Sequence, residues 1–136
     1  MSYANAGAVQ AAVYDILSGD TALTALVGTA VFDMPPEGTL PDLFVVIGEE
    51  VVRPRDSAMV QAAHHDLVVS VVGRTGGFAQ AKAAAAAVDA ALRGAAPDLP
   101  GARLVGLWFQ KARARRTEGG GARQIDLSFR AMVESN

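Results

Sequence analysis

From Gln124 to Ala131 the chain alternates without a break, and Val133 keeps the apolar parity. Ile125, Leu127, Phe129, Ala131 and Val133 fall on one parity; Gln124, Asp126, Ser128 and Arg130 fall on the other. A period of two belongs to a β-strand, and a strand with one apolar and one polar face sits in a sheet covered on one side. The rest of the chain must therefore supply partner strands and something apolar to lay over that face.

The partner strand comes just before it. "ARLVGLWFQKARARRT" places Val105, Leu107 and Phe109 on one face, then continues on the same parity with Lys111, Arg113 and Arg115. A core face does not accept those three. Either a bulge near Gln110 switches the faces and brings Ala112 and Ala114 inward, or the strand runs past the core into solvent. Both options put arginines in the open. "EGGG" is the hairpin turn between the two strands.

Two earlier strands follow from apolar runs. "LFVVIGEEVV", residues 43–52, is apolar on both parities up to Gly48, and "HHDLVVSVVG", residues 64–73, pairs naturally with it. The connecting "RPRDSAMVQAA" reads as a long loop: Pro54 donates no ladder hydrogen bond, and Arg53, Arg55 and Asp56 favour water. Its middle, Ala58, Met59 and Val60, is apolar with no local core to join, so residues 53–62 are expected to be mobile until a partner orders them. "AVFDM" is a short strand, and "MPPEGTLPD" is a stiff extended connection.

The covering layer is helical. Val9, Ala12, Val13, Ile16 and Leu17 form an apolar stripe on a helix over residues 4 to about 17, which Gly19 ends. Asp20 is a good N-cap for the short helix "TALTALV", closed by Gly28. The alanine-rich helix from Phe78 to Leu92 turns Phe78, Ala81, Ala85, Val88 and Leu92 one way and Lys82, Asp89 and Arg93 toward water. The order is helix, short helix, three strands, helix, two strands. It predicts an α+β domain: an antiparallel or mixed β-sheet of about five strands with two main helices packed on one face.

The 136 residues make one ordinary domain, 1–136, long enough to bury a core without staples. No cysteine is present, which excludes a thiolate site and a disulfide framework. "MSYANAGAVQAAVYDILSGD" lacks the basic start of a signal peptide and carries Asp15, so no secretion signal is expected. Apolar runs break well before the ~20 residues that span a bilayer, so no membrane partner is expected. Net charge is −2, yet Lys111, Arg113, Arg115, Arg116 and Arg123 cluster near the end.

Chemistry-bearing patterns are sparse. "SVVGRTGGFAQAK" leads from a strand through Gly73, Gly76 and Gly77 into a helix, but neither a P-loop nor a dinucleotide fingerprint has that spacing. Gly73 is expected to end a strand, and Gly76 and Gly77 to supply positive φ. His64 and Asp66 share a face while His65 points away, too few ligands for a catalytic zinc. Glu49 and Glu50 are adjacent, hence on opposite faces, and no serine sits in a nucleophile elbow. No enzyme activity, metal or cofactor is expected. Trp108 and Phe109 beside the arginines raise nucleic-acid binding as a lesser alternative, against a net charge of the wrong sign.

With the elements placed, three stretches carry a family resemblance. "ALTALVGTAVFDMPPEGTLPDLFVVIGEE", "HHDLVVSVVGRTGGFAQAKAAAAAVDAAL" and "RLVGLWFQKARARRTEGGGARQIDLSFRAMVE" together resemble small phage tail-terminator (tail-completion) proteins over nearly the whole chain. The tryptophan-serine pair usual at the end of the family's third strand is replaced by Val72-Gly73. Alanine-rich, cysteine-free versions look most like the tail terminators of alphaproteobacterial gene transfer agents, phage-like particles that package cellular DNA.

The resemblance implies a structural protein: a ring, usually a hexamer, that caps the tail tube, stops its polymerisation and offers the head-tail joining surface. Implied partners are further copies of the chain, the tail tube protein and a head-tail connector or head-completion protein, with DNA only as cargo. Implied locations are the cytoplasm of the producing bacterium during assembly and then the particle neck. Another neck protein, a head-completion or connector subunit, is the alternative. Residues expected at an oligomer or partner interface are Arg53, Arg55, Met59, Val60, Lys111, Arg113, Arg115, Arg116 and Arg123, facing carboxylates such as Asp15, Asp20 or Asp89 on a neighbour.

Overall fold

The apolar stripe near the N-terminus folds as α1 (Ala6–Ser18), burying Ala6, Val9, Val13 and Leu17. The computed structural model describes residues 3–117 and 119–135. Asp20 caps α2 (Thr21–Val27) by accepting a hydrogen bond from the Leu23 amide at 2.9 Å, and Gly28 closes it at φ 61°. Strand β1 (Val31–Phe32) is followed by the proline segment, which Arg74 anchors by donating from Nη1 to the Leu40 carbonyl at 2.6 Å. Then come β2 (Leu43–Pro54), β3 (Ala62–Gly73), α3 (Phe78–Leu92), β4 (Ala102–Arg116) and β5 (Arg123–Ser135).

The five strands form one mixed sheet in the order β1-β2-β3-β5-β4. β1 runs parallel to β2 and every other neighbouring pair is antiparallel. Since β5 opposes both β3 and β4, those two run parallel with β5 between them, and α3 is the crossover that joins them. β5 earns the interior place through its alternation: Ile125, Leu127, Phe129, Ala131 and Val133 are all buried. β3 matches it with Ala63, His65, Leu67, Val69 and Val71. Among the described residues, all three helices pack on that face and the opposite face carries none.

Alanine lets α3 approach closely. Ala81 and Ala84 are fully buried, and the Ala81 Cβ lies 3.5 Å from where a side chain on Gly73 would begin. Gly76 and Gly77 take φ of 79° and 70° to turn the chain from β3 into the helix, as their spacing predicts.

Two expectations need correcting. The β2 and β3 strands run further than the sequence suggests, to Pro54 and from Ala62, leaving only 55–61 as a loop. Arg55 donates its amide to the Ala62 carbonyl at 2.8 Å, so the neighbouring Pro54–Ala63 pair is a non-hydrogen-bonded one. Proline's missing N–H therefore faces the outer edge of β2, and nothing in the ladder is lost. Val105 is also not on the core face: it is 39 % exposed. A register shift between Leu104 and Gly106 bulges it out, and Leu104 takes the inward place opposite Val133.

Candidate functional site

The helix-free face of the sheet is built from the polar parity of β3, β4 and β5, and its centre is Asp126. That carboxylate accepts hydrogen bonds from Ser70 Oγ at 2.6 Å, Gln124 Nε2 at 2.8 Å and Arg115 Nε at 3.4 Å. Partial burial pushes its pKa up, but the bonds from Gln124 and Ser70 together with the Arg115 charge win, and it ends below the ordinary carboxylate value. Nearer the start of β3, Arg130 makes a two-pronged contact with Asp66 at 2.7 and 3.1 Å, and Arg53 joins from β2 at 3.6 Å. The Arg130 hydrogen bonds hold the Asp66 pKa low. His64, on the same face, has its pKa lowered by desolvation and by the Arg130 and Arg55 charges. Between the two networks and the end of β4 lies a polar groove of about 420 Å³ lined by Glu49, Ser70, Lys111, Arg113 and Asp126 among others.

The basic arm is where β4 and β5 leave the core. A register shift between Phe109 and Lys111 bulges Gln110, the first of the two alternatives left open by the sequence. Lys111, Arg113 and Arg115 accordingly pair with Ser128, Asp126 and Gln124 on the helix-free face, and Ala112 and Ala114 turn toward the helices opposite Leu127 and Ile125. Yet both alanines stay exposed, because α3 does not extend over them. Lys111, Arg113 and Arg116 are open to solvent, whereas Arg115 is tied to Asp126 and Arg123 stands 5.4 Å over the Phe78 ring. Of the turn, Glu118 lies outside the described residues; Gly119 and Gly120 have φ of 86° and 73°.

The β2–β3 loop forms the opposite end of the sheet. At its foot the Gln61 carbonyl accepts from the Ser135 amide of β5 at 2.8 Å; within it, the Ser57 amide donates to the Val60 carbonyl at 2.8 Å, Ser57 Oγ accepts from the Val60 amide at 3.1 Å, and Asp56 Oδ1 accepts from the Ala62 amide at 2.9 Å. They hold up Met59, which is 90 % exposed, and Val60 beside it. The expected interface residues therefore fall into two groups rather than one site: Arg53, Arg55, Met59 and Val60 at this end, Lys111, Arg113, Arg115, Arg116 and Arg123 at the other. The acidic counterpart is thinner than the sequence suggests, since Asp20 is committed to the α2 cap and Asp89 pairs with Arg93 at 2.6 Å.

On the covered side, His65 is fully buried, with Nδ1 3.3 Å from Glu50 Oε2 and Nε2 without a hydrogen-bond partner among the described residues. A register shift between Gly48 and Glu50 leaves Glu49 as the extra residue of a bulge; Glu50, opposite Leu67, reaches His65 on the covered side, and Glu49 lines the polar groove on the other face. No group of three or more histidine, aspartate or glutamate side chains is placed to hold a metal among the described residues. Two features escaped the sequence: the Ser70–Asp126–Arg115 cluster, which required knowing that β3 neighbours β5, and the uncovered Ala112–Ala114 strip, which required knowing where α3 lies.

The described residues thus form a helix-covered sheet with one polar face and unlike projections at its two ends. The family model for tail completion protein gp17 matches residues 11–134, and the chain belongs to that family. It is similar, at 54 % identity and a TM-score of 0.94, to a chain in a solved structure described as the virion of native gene transfer agent (GTA) particle, covering 98 % of this chain and all of that one. No curated protein matches it significantly. It is a phage-tail-related structural protein of the kind found in a gene transfer agent virion.

Proposed function

We propose that the protein is a tail terminator: copies of it close into a hexameric ring that caps the tail tube, stops tube polymerisation and presents the surface to which the head joins. The observation that carries this is the family match over most of the chain together with 54 % identity to a virion chain covered along its full length. The fold supports it physically. A ring requires a head-to-tail interface, hence two different patches on each subunit. The Met59 loop and the basic arm are unlike and sit at opposite ends of one sheet, so each subunit offers two different patches.

On this reading the chain is a single domain without catalytic, metal or cofactor function. Its partners are copies of itself, the tail tube protein and a connector or head-completion protein, and DNA passes only as cargo. It assembles in the cytoplasm of the producing bacterium and ends in the particle neck. Negative-stain imaging of the purified protein, alone and with isolated tail tubes, tests it. Rings, or caps at one end of every tube, are expected; monomers at all concentrations and salt conditions that also leave tubes uncapped would refute it.

A further inference from the structure

The strip that α3 leaves uncovered is a socket. Phe109, 37 % exposed, together with Ala112 and Ala114 of β4 and Ala85 and Ala86 of α3, lines a groove of about 280 Å³ over the buried Ile125 and Leu127. That is under the ~300–1,000 Å³ of small-molecule pockets, a size suited to one or two side chains. β4 is the outermost strand on its side of the sheet among the described residues. We propose that this groove receives the Met59–Val60 tip of the β2–β3 loop from a second copy of the chain, and that repetition of this contact closes the ring. The inference rests on the ring reading and names its interface.

Three features of the molecule select that occupant. Met59 is the most exposed large apolar side chain among the described residues, on a loop already shaped by its own hydrogen bonds, so little ordering cost attends its docking. Charge matches on one side: Lys82 lines the groove and Asp56 stands next to the tip, whereas Asp89, also in the lining, is already paired with Arg93. Docking sets Asp56 against Lys82. Finally, no subunit can fill its own socket. Ala62, at the foot of the loop, is level with Glu134, whereas Ala112 is level with Leu127, seven residues or about 23 Å along β5. The loop projects away from that point, so the tip must enter another chain.

The absence of native cysteine makes the test direct. A Met59→Cys/Ala112→Cys double variant carries only engineered thiols, which join when the two Cβ atoms come within about 4.5 Å. Mild oxidation should give a ladder of covalent oligomers on a non-reducing gel, while each single variant stops at a dimer or below. Rings visible by negative stain without the ladder would overturn the socket and leave the ring reading standing. No rings and no capped tubes with the wild-type chain would overturn both. Met59→Asp, at a site too exposed to affect folding, should raise the concentration needed for assembly at least about tenfold; unchanged assembly by this variant also overturns the proposal.

Discussion

Replacing Asp126 by Ala should loosen the basic arm before it loosens the core. The carboxylate accepts from Ser70, Gln124 and Arg115 and is 24 % exposed. A hydrogen bond to a charged group contributes about 1.5–3 kcal/mol, and an exposed ion pair such as Arg115–Asp126 about 0–1 kcal/mol. Two strong bonds and one weak pair would sum to more than about 3 kcal/mol, but water reaches the freed groups in part. The expected loss is about 2–4 kcal/mol for Asp126→Ala. Asp126→Asn keeps an oxygen for Ser70 and loses the charge, so its loss should be about half of that.

Urea unfolding reads this as a lower midpoint at unchanged slope. Hydrogen exchange should locate the change in residues 111–116 and 123–128 first. The pH dependence supplies a second check. The native pKa of Asp126 is depressed, so its contribution is present above the unfolded value of about 3.9 and is lost as pH falls through the lower native value. The gap between wild type and Asp126→Ala should be full at pH 7 and shrink below about pH 4. A loss under about 0.5 kcal/mol, or a gap that persists undiminished in acid, would refute the reasoning.

Asp20→Ala removes the α2 cap and should cost about 1 kcal/mol by denaturant midpoint. His65→Leu should leave stability unchanged or raise it by about 1 kcal/mol, because Nε2 is buried without a partner and Glu50 can turn to water; a loss above about 1 kcal/mol would show that the Glu50 contact dominates. Deleting Gln110 should cost less than about 1 kcal/mol, because Lys111 already pairs with Ser128 as the next regular residue after Phe109. Deleting Ala112 instead moves Arg113 opposite Leu127 and breaks the Arg115–Asp126 contact, so it should cost clearly more in the same assay.

What the sequence made legible was whatever a local period decides. The parity of β5 named its buried residues correctly, and the α3 stripe gave bounds, Phe78–Leu92, that the structure keeps. Sheet order was not legible, because both β4 and β5 could flank β3 on hydrophobicity near Leu107 and Phe109; the choice falls to β5, whose apolar parity is unbroken where β4 turns basic. Pro54 hid the length of β2 because a proline is disruptive only if its nitrogen faces a partner strand, and which way it faces depends on register. The candidate interface was half legible for the same reason. Met59 and Val60 stood out as apolar residues without a local core, a property of their neighbours in sequence.

Their proposed receiver could not stand out in that way. Ala112 and Ala114 lie among arginines, and nothing in "KARARR" separates an alanine that packs from one that does not. The bulge at Gln110 turns them toward the helices, and only the position of α3 leaves them bare. A helix that stopped the arm from being covered also leaves Phe109 open at its edge, over the buried Phe129 at a ring separation of 5.9 Å. Apolar surface of this kind is costly in water unless another chain covers it. Met59, the most exposed large apolar side chain among the described residues, is at the far end of the sheet, out of reach within a subunit and, in the proposed ring, available on the next. In the proposed ring, covering the strip and docking the tip are one contact, and such a head-to-tail contact gives a ring when its rotation closes.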